Sequence, residues 1–477
     1  MDFNSFLFLA VFLPAVLIIY RLLKRKGYRK AAMWFLSASS VAFLGMANPL
    51  GAVPFILSLL LNYLFAYLIL SGRKPRLYTA AAVVFNVLLL SFFKYGPLII
   101  PQIQMHLKAP GVSFYTFCEI AFVVECYRGT TKLLRPEEYA FIMSFFPKLM
   151  QGPITQPAEL TSQGFGKEKL SWEEIYRGIL LFTLGLFKKV IIADTLGGAV
   201  DYGFTNLDVL HSGEALVVML SYTLQLYFDF SGYCDMAMAL ASFFGYELPV
   251  NFNSPYKAKN IDEFWKRWHI SLTAFFTRYI YIPLGGNRKG KIRKYINYLL
   301  IFLISGLWHG AGWQFIIWGM MHGILFVLTR IIRDAKRKPV SENKLFSAVR
   351  VFLTFLYVNV AWVFFRAPSV GDAFHLFSDM AQCWFPRFNT GLAKCFNIDE
   401  FWYVLKLLHL DGGTYSLYYL MAIILIGLLI LVFFAPNAAE WASRVRISVF
   451  TTLLICVLLV WCILSFEGVA TYIYVNF

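Results

Sequence analysis

The chain has 477 residues, of which 59% are hydrophobic, 18% aromatic and only 15% charged, with a mean hydropathy of +0.62. Soluble domains are about 25% charged, so this composition excludes soluble, disordered and fibrous proteins and is typical of membrane proteins. The formal net charge of +16 comes from 43 Lys and Arg against 27 Asp and Glu. In a membrane protein this excess lies in cytoplasmic loops beside anionic lipid, so we expect no nucleic-acid partner.

The predicted elements are apolar segments that follow one another along the whole chain. Because about 20 apolar residues span a bilayer, they predict a single all-α polytopic domain over 1–477 with about 10–12 spans. The first segment ends in basic residues without a basic region before it, so we expect a retained helix rather than a cleaved signal. The segments are 5–23, 31–48, 51–71, 78–100, 112–127, 177–200, 214–245, 295–309, 311–330, 347–366, 417–434 and 448–466.

Basic clusters follow the first, third and fifth apolar segments, at 25–26, 73–76 and 128–135. Lys and Arg are enriched in cytoplasmic loops, so these clusters predict an extracytoplasmic N-terminus. By parity, the loop 367–416 and the C-terminus are also extracytoplasmic.

Two stretches, 139–156 and 250–285, do not have the pattern of simple spans. The first contains FFP at 145–147 and GP at 152–153, and the second is rich in Trp and charge. Irregular backbone at membrane depth is tolerated only where protein shields it or where it lines a wet cavity. We therefore expect re-entrant or interfacial elements around a site, with an ordinary interfacial turn as the alternative for 139–156.

Within the second stretch, Asn260 and Glu263 have the spacing of a helix N-terminal cap. The positions that follow predict one amphipathic helix with His269 on its buried face. An interfacial helix anchored by Trp, with a hydrogen-bonded histidine, is the alternative. The residues with helical spacing are Trp265, Trp268, His269, Leu272 and Phe276.

His309 ends an apolar segment, and Gly310 and Gly312 loosen the helix there so that another group can approach closely. An ionisable residue at membrane depth is by default a functional-site hypothesis. A positioned imidazole takes a proton from a hydroxyl and returns it to a leaving group. For His309 and for His322, a histidine bonded between helices beside small residues is the structural alternative.

Polar residues also interrupt the apolar segment 214–245. Gln225, Asp229 and Asp235 must be satisfied internally or line water, and a structural network explains them as well as a catalytic one. The seven cysteines are scattered without a CxxC pair, so the sequence predicts neither a disulfide framework nor a metal site.

Together these segments resemble the membrane-bound O-acyltransferase (MBOAT) family. They are most similar to its bacterial branch, which includes the membrane components of alginate and peptidoglycan O-acetylation and of teichoic-acid D-alanylation. Each motif alone is weak, but the ordered set is specific and covers most of the chain. The matching segments are GVSFYTF at 111–117, FFP at 145–147, GPI at 152–154, 225–235, NF at 251–252, PY at 255–256, FWKRWHISL at 264–272, YIPLGGN at 281–287 and 305–323.

The resemblance implies an all-α helical core around a central funnel, and acyl transfer from a thioester donor. His309 and His269 match the family's two conserved histidines and are the candidate catalytic residues. Candidates for funnel-lining or supporting roles are Trp308, Gln225, Asp229 and His322.

For acetylating members the donor is expected to be cytoplasmic acetyl-CoA, with no permanently bound cofactor. The final acceptor is expected to be an extracytoplasmic polysaccharide, reached through a separate partner protein. The resemblance further implies a location in the bacterial plasma (inner) membrane, surrounded by membrane lipids.

The C-terminal YIYVNF at 472–477 is similar to an aromatic motif in this branch whose central tyrosine is proposed to carry the acyl group. Tyr474 matches that tyrosine, and an interfacial anchor is the alternative. The chain departs from the pattern at Tyr472, where Phe is usual. It also departs at FTR in 276–278, where relatives commonly have an Arg-Asp pair, so the local salt bridge of that pair is not expected.

Two other classes of function stay open. A transporter or export channel for polymer or lipid-linked precursor would use the intramembrane acids and histidines as relay or lining groups, and a non-enzymatic scaffold would not need the histidines at all. The basic cluster 288–294 could attract the phosphates of the donor, although topology and lipid contact explain it as well.

Overall fold

The computed structural model describes residues 1–100, 109–335, 343–385, 389–398, 403, 406–407, 414–466 and 472–473. Within these ranges the protein is helical and contains no strand, which confirms the predicted all-α class. Tyr474 lies outside the described residues.

The helices follow the predicted apolar segments closely. In addition, π-helical turns cover Phe8–Phe12, Lys188–Ala193 and Thr277–Tyr281. The α-helices of the first half are α1 (Leu13–Arg25), α2 (Arg29–Ala47), α3 (Ala52–Leu70), α4 (Pro75–Ile99), α5 (Val112–Arg128), α6 (Pro136–Ser144), α7 (Phe146–Leu149), α8 (Pro157–Thr161), α9 (Trp172–Phe187), α10 (Asp194–Thr205) and α11 (Ser212–Phe243).

The second half begins with two short helices and continues with long ones. Its helices are α12 (Ile261–Trp265), α13 (Ile270–Phe276), α14 (Lys291–His309), α15 (Trp313–Ala335), α16 (Lys344–Arg366), α17 (Val370–Ala381), α18 (Thr390–Lys394), α19 (Thr414–Phe434), α20 (Ala438–Arg444) and α21 (Val449–Leu464).

Six helices in the described ranges are long and apolar enough to cross a membrane. They are α2, α3, α4, α15, α16 and the segment Ser416–Phe434 of α19. The chain is therefore a multi-pass membrane protein, while the total of about 10–12 spans and the orientation of the termini stay predictions.

Helix α11 forms the centre of the molecule. Most of its residues are buried, and α9, α10, α16 and α17 pack along it. By contrast, only Ala82 and Asn86 of α4 are buried as whole residues. A helix enclosed by protein does not need an apolar surface toward lipid, which explains how α11 carries polar side chains at membrane depth.

Both stretches predicted to be irregular are irregular, and most of their residues are buried except at 277–285. Helix α6 ends at Ser144, α7 adds a single turn, and residues 150–156 have no helix. The Ile154 backbone N–H donates to Ser271 Oγ at 3.0 Å, which joins the two stretches. That the two stretches are re-entrant or interfacial elements, and how deep they lie in the membrane, stays a prediction.

The cap predicted at Asn260 is confirmed, because its Oδ1 accepts the Glu263 backbone N–H at 2.9 Å. The prediction of one continuous helix after it is wrong. Helix α12 ends at Trp265, and His269 adopts a left-handed conformation with φ of 44° before α13 begins. The five residues predicted to face inward are nevertheless all buried.

Candidate active site

Tight packing between α14 and α15 positions His309. A Cβ atom at Gly306 would lie 2.4 Å from the Phe315 carbonyl oxygen, and one at Gly319 would lie 2.4 Å from that of Phe302. Helix α14 ends at His309, and a Cβ at Gly310 would lie 2.1 Å from the Phe315 ring. The close approach predicted from the glycines is therefore made by Phe315.

Aromatic rings surround the His309 imidazole. Its centroid lies 4.3 Å from that of Trp308, 4.9 Å from Trp318 and 4.8 Å from Phe365. The residue is 3% exposed. A substrate reaches this ring only when the surrounding side chains move, so the structure shows a closed arrangement.

Asn251 holds His269 in one tautomer. The Asn251 Oδ1 atom accepts the Ser271 backbone N–H at 3.1 Å and faces His269 Nδ1 at 3.2 Å. Since a backbone N–H can only donate, the atom between them is the amide oxygen, and His269 Nδ1 must carry the hydrogen. In the neutral ring, Nε2 then has the lone pair, and it is buried without a hydrogen-bond partner in the described part of the chain.

Trp308 is the common neighbour of the two histidines. Its ring centroid lies 6.5 Å from that of His269 and 4.3 Å from that of His309. Two histidines that the sequence separates by 40 positions therefore border one indole. The predicted pair is brought together around the predicted supporting residue.

Lys94 on α4, which is not among the predicted site residues, also reaches this indole. Its Nζ lies 5.0 Å from the centroid of the Trp308 ring. The signal was present in the sequence, because a single lysine interrupts the apolar segment 78–100 and an ionisable residue at membrane depth is a functional-site hypothesis. We call His269, Trp308, His309 and Lys94 the histidine cluster.

His322 lies one ring further away. Trp318 lies between His322 and His309. The centroid of its ring is 5.1 Å from that of His322 and 4.9 Å from that of His309. His322 is fully buried, and neither ring nitrogen has a hydrogen-bond partner among the described residues. The geometry places it in the layer behind the histidine cluster.

Gln225 and Asp229 lie on a different face of α11 from the histidine cluster. The Gln225 amide approaches α10 at Gly197. Asp229 pairs with Lys189 at 2.9 Å and accepts the Ile473 backbone N–H at 3.2 Å. The next residue along α11, Phe230, contacts His269 with ring centroids 4.8 Å apart.

Asp229 belongs to a second group of buried charged residues, which we call the ion-pair cluster. Lys189 also pairs with Asp194 at 2.8 Å, and Lys188 pairs with Asp235 at 2.6 Å. The cluster consists of Lys188, Lys189, Asp194, Asp229 and Asp235.

The C-terminal segment docks on the ion-pair cluster. Tyr472 is 1% exposed, its ring lies 4.6 Å from Lys189 Nζ, and it packs against Tyr233 with centroids 5.1 Å apart. The segment that precedes Tyr474 is thus anchored inside the protein.

A cavity of about 260 Å³ lies between α12, α13, α14 and α15. Its lining runs from the charged residues Lys266 and Arg330 to Trp265 and Ser305. Ser305 precedes His309 by one turn of α14, so the inner end of this cavity lies one helical turn from the histidine.

The local salt bridge that the sequence lacks at 276–278 is replaced by a pair between helices. Arg278 contacts both carboxylate oxygens of Glu125, at 2.8 and 2.9 Å. Two parallel hydrogen bonds of this kind fix geometry as well as charge. No group of three or more His, Cys, Asp or Glu within the described ranges could hold a metal ion.

The fold and the site define a multi-pass membrane protein with two buried histidines around one indole. A family model described as MBOAT, membrane-bound O-acyltransferase family, matches residues 136–369. This range contains both histidines and both irregular stretches. The chain belongs to the membrane-bound O-acyltransferase family, and it is an O-acyltransferase.

Curated relatives agree with this assignment. The chain is 37% identical over 422 residues to a peptidoglycan O-acetyltransferase of Helicobacter pylori. This alignment covers 79% of this chain and 79% of the relative. It is 35% identical over 405 residues to the probable alginate O-acetylase AlgI of Azotobacter vinelandii, covering 80% of this chain and 78% of the relative. A teichoic acid D-alanyltransferase of Bacillus subtilis is 28% identical over 284 residues, covering 56% of this chain and 69% of the relative.

Proposed function

We propose that this protein transfers an acetyl group from cytoplasmic acetyl-CoA, across the bacterial inner membrane, toward the hydroxyls of an extracytoplasmic polysaccharide through a partner protein. The observation that carries the proposal is the pair of buried histidines that border Trp308 in a chain 35–37% identical to relatives named as polysaccharide O-acetylating enzymes. Both kinds of relative are about equally similar, so the proposal does not choose between polymers.

In this mechanism His309 acts as the general base. The acceptor hydroxyl oxygen attacks the thioester carbonyl carbon while His309 takes the hydroxyl proton. The C–S bond then breaks, and the leaving thiolate receives the proton from His309. His269 Nε2, which has no hydrogen-bond partner in the described part of the chain, accepts a hydrogen bond from a donor group of the bound substrates other than the hydroxyl that His309 deprotonates.

The cavity beside α14 supports a donor route from the charged end at Lys266 and Arg330 to Ser305. We further propose that Tyr474 carries the acetyl group between donor and partner. The anchor directly before Tyr474 supports this role, because Tyr472 is buried and the Ile473 backbone N–H donates to Asp229.

The test is incubation of the purified full chain with labelled acetyl-CoA, followed by measurement of released thiol and mass spectrometry of the protein. We expect one acetyl adduct at Tyr474, lost in Tyr474→Phe and in His309→Ala. Tyr472→Phe is the matched control, since the Tyr472 hydroxyl has no hydrogen-bond partner in the described part of the chain.

The outcomes separate the competing functions. Thiol release that His309→Ala abolishes supports the enzyme, whereas a transporter or a scaffold releases no thiol. An adduct at another residue, with His309 still required, overturns only the role of Tyr474.

A further inference from the structure

Lys94 carries a buried amino group that the described protein leaves without a hydrogen-bond or ion-pair partner. Its Nζ is buried and has no hydrogen-bond partner among the described residues, and none of their carboxylates lies within ion-pair distance. Most of α4 faces outward, with only Ala82 and Asn86 buried as whole residues. The ammonium group is therefore directed inward from a peripheral helix, toward the Trp308 ring 5.0 Å away.

The contact with Trp308 does not explain this burial. A desolvated cation–π contact contributes about 2 kcal/mol. Removing an ammonium from water costs several kcal/mol even after the protein relaxes. Because the cost of removing the ammonium group from water exceeds the contribution of the cation–π contact, the site beside Trp308 favours an additional anionic partner.

Neighbouring contacts hold this arrangement in place. The Tyr95 hydroxyl donates to the Leu307 carbonyl at 2.5 Å, which ties α4 to α14 beside Lys94. Trp308 follows Leu307, and its ring lies 4.3 Å from that of His309. The cation is thus attached to the segment that carries the candidate base.

The predicted topology argues against the phosphates of the donor as this partner. Residues 73–76 and 288–294 are the basic, cytoplasmic ends of the segments that lead to Lys94 and His309. Both side chains therefore lie away from the cytoplasmic ends of their helices. The remaining candidate partner for Lys94 is the negatively charged oxygen that forms on the thioester carbonyl during acyl transfer beside His309.

We propose that Lys94 is a catalytic residue that stabilises the oxyanion of the tetrahedral intermediate, an inference that rests on the proposed acyl transfer. When the acceptor oxygen bonds to the thioester carbon, the carbonyl electron pair moves to oxygen, and the Lys94 ammonium donates a hydrogen bond to that oxygen. When the C–S bond breaks, the electron pair returns to the carbonyl and the interaction ends. Such interactions are stronger in the transition state than in the ground state, so they raise the rate without tightening substrate binding.

The experiment measures the single-turnover rate of thiol release from acetyl-CoA by the purified full chain, with the thermal unfolding midpoint of each variant. Lys94→Met is expected to lower the saturating rate by about 10²–10³-fold, as expected for loss of one oxyanion donor. The half-saturating concentration of acetyl-CoA is expected to change by less than about threefold. Lys94→Arg keeps the charge and is expected to recover part of the rate.

Stability gives a signature that a structural lysine would not produce. Methionine removes an unpaired buried charge, so Lys94→Met is expected to keep or raise the unfolding midpoint while it loses activity. Tyr95→Phe is the matched control on the same turn, and we expect it to keep the rate within about threefold, because it removes one hydrogen bond outside the reaction.

His309→Ala distinguishes failure of this inference from failure of the proposed function. If Lys94→Met and Lys94→Gln keep the wild-type rate while His309→Ala loses it, the role of Lys94 is overturned and the acyl transfer stands. A joint loss of rate and unfolding midpoint in both Lys94 variants would assign Lys94 to the fold and also overturn the inference. Wild-type thiol release by His309→Ala would overturn the proposed function itself.

Discussion

Helix α11 contacts two buried polar clusters that differ in how their charges are satisfied. In the ion-pair cluster, each lysine has a carboxylate partner at 2.6–2.9 Å. In the histidine cluster, Lys94 Nζ and His269 Nε2 have no hydrogen-bond partner among the described residues. Buried polar groups cost free energy when they lack partners.

We expect this difference between the clusters to separate structural residues from functional ones. Every charged side chain of the ion-pair cluster has a partner of opposite charge, although Asp194 Oδ2 has no hydrogen-bond partner in the described part of the chain. The cluster also anchors the C-terminal segment through Asp229 and Ile473. The histidine cluster keeps hydrogen-bonding capacity unused in the closed arrangement. Substitutions in the first are therefore expected to change stability, and substitutions in the second to change activity.

The largest effect is expected at His309. His309→Gln removes the proposed general base, so the rate of thiol release is expected to fall by about 10²–10⁴-fold. The unfolding midpoint in detergent is expected to stay close to that of the wild type. If His309→Gln lowers the unfolding midpoint and its loss of activity matches the loss of folded protein, His309 acts on stability. The histidine cluster would then not differ from the ion-pair cluster.

A large effect on stability is expected at Lys188. Lys188→Met leaves the Asp235 carboxylate buried and unpaired, which costs about 3–5 kcal/mol and lowers the unfolding midpoint. The double variant Lys188→Met with Asp235→Leu is the matched control, and it is expected to recover most of the loss. Activity per folded molecule is expected to persist in both, and its selective loss would give this pair a catalytic role.

A smaller effect is expected at Asn251, which positions His269. Asn251→Ala removes the acceptor of Nδ1–H and is expected to lower the rate by about 10–100-fold, equivalent to about 1–3 kcal/mol. In a His269→Ala background the same substitution is expected to cost little more, because the two residues act as one unit. Additive losses in this cycle would contradict the positioning role.

The smallest effect is expected at His322. His322→Phe replaces an imidazole whose nitrogens have no partner in the described part of the chain with a ring of similar shape. We expect thiol release within about threefold of the wild type and an unchanged or higher unfolding midpoint, because no hydrogen bond is lost. A loss as large as that of His309→Gln would extend the histidine cluster across Trp318.

Local signals predicted much of the fold and part of the site. The apolar segments correspond to the observed helices, and the cap at Asn260 forms as its spacing predicted. The pattern around His269 placed its five residues inside correctly but predicted a continuous helix. That prediction failed because Asn251, 18 positions earlier, interrupts the helix with hydrogen bonds to Ser271 and His269.

The sequence alone grouped Asp229 with the histidines as a candidate for a supporting role. The structure pairs it with Lys189 and the C-terminal segment, whereas Lys94, which received no role from the sequence, reaches Trp308. These assignments depend on contacts between helices, which no window of the sequence contains. His309, His269 and Tyr474 stay predictions as functional residues.

By itself, the sequence determined the membrane class, the helical segments and the family resemblance, because hydropathy, charge placement and short motifs are properties of neighbouring residues. Only the tertiary structure decided which polar side chains share a partner and which remain unsatisfied. The reason is physical: each buried group is satisfied by contacts from distant helices, and those contacts exist only once the helices have packed.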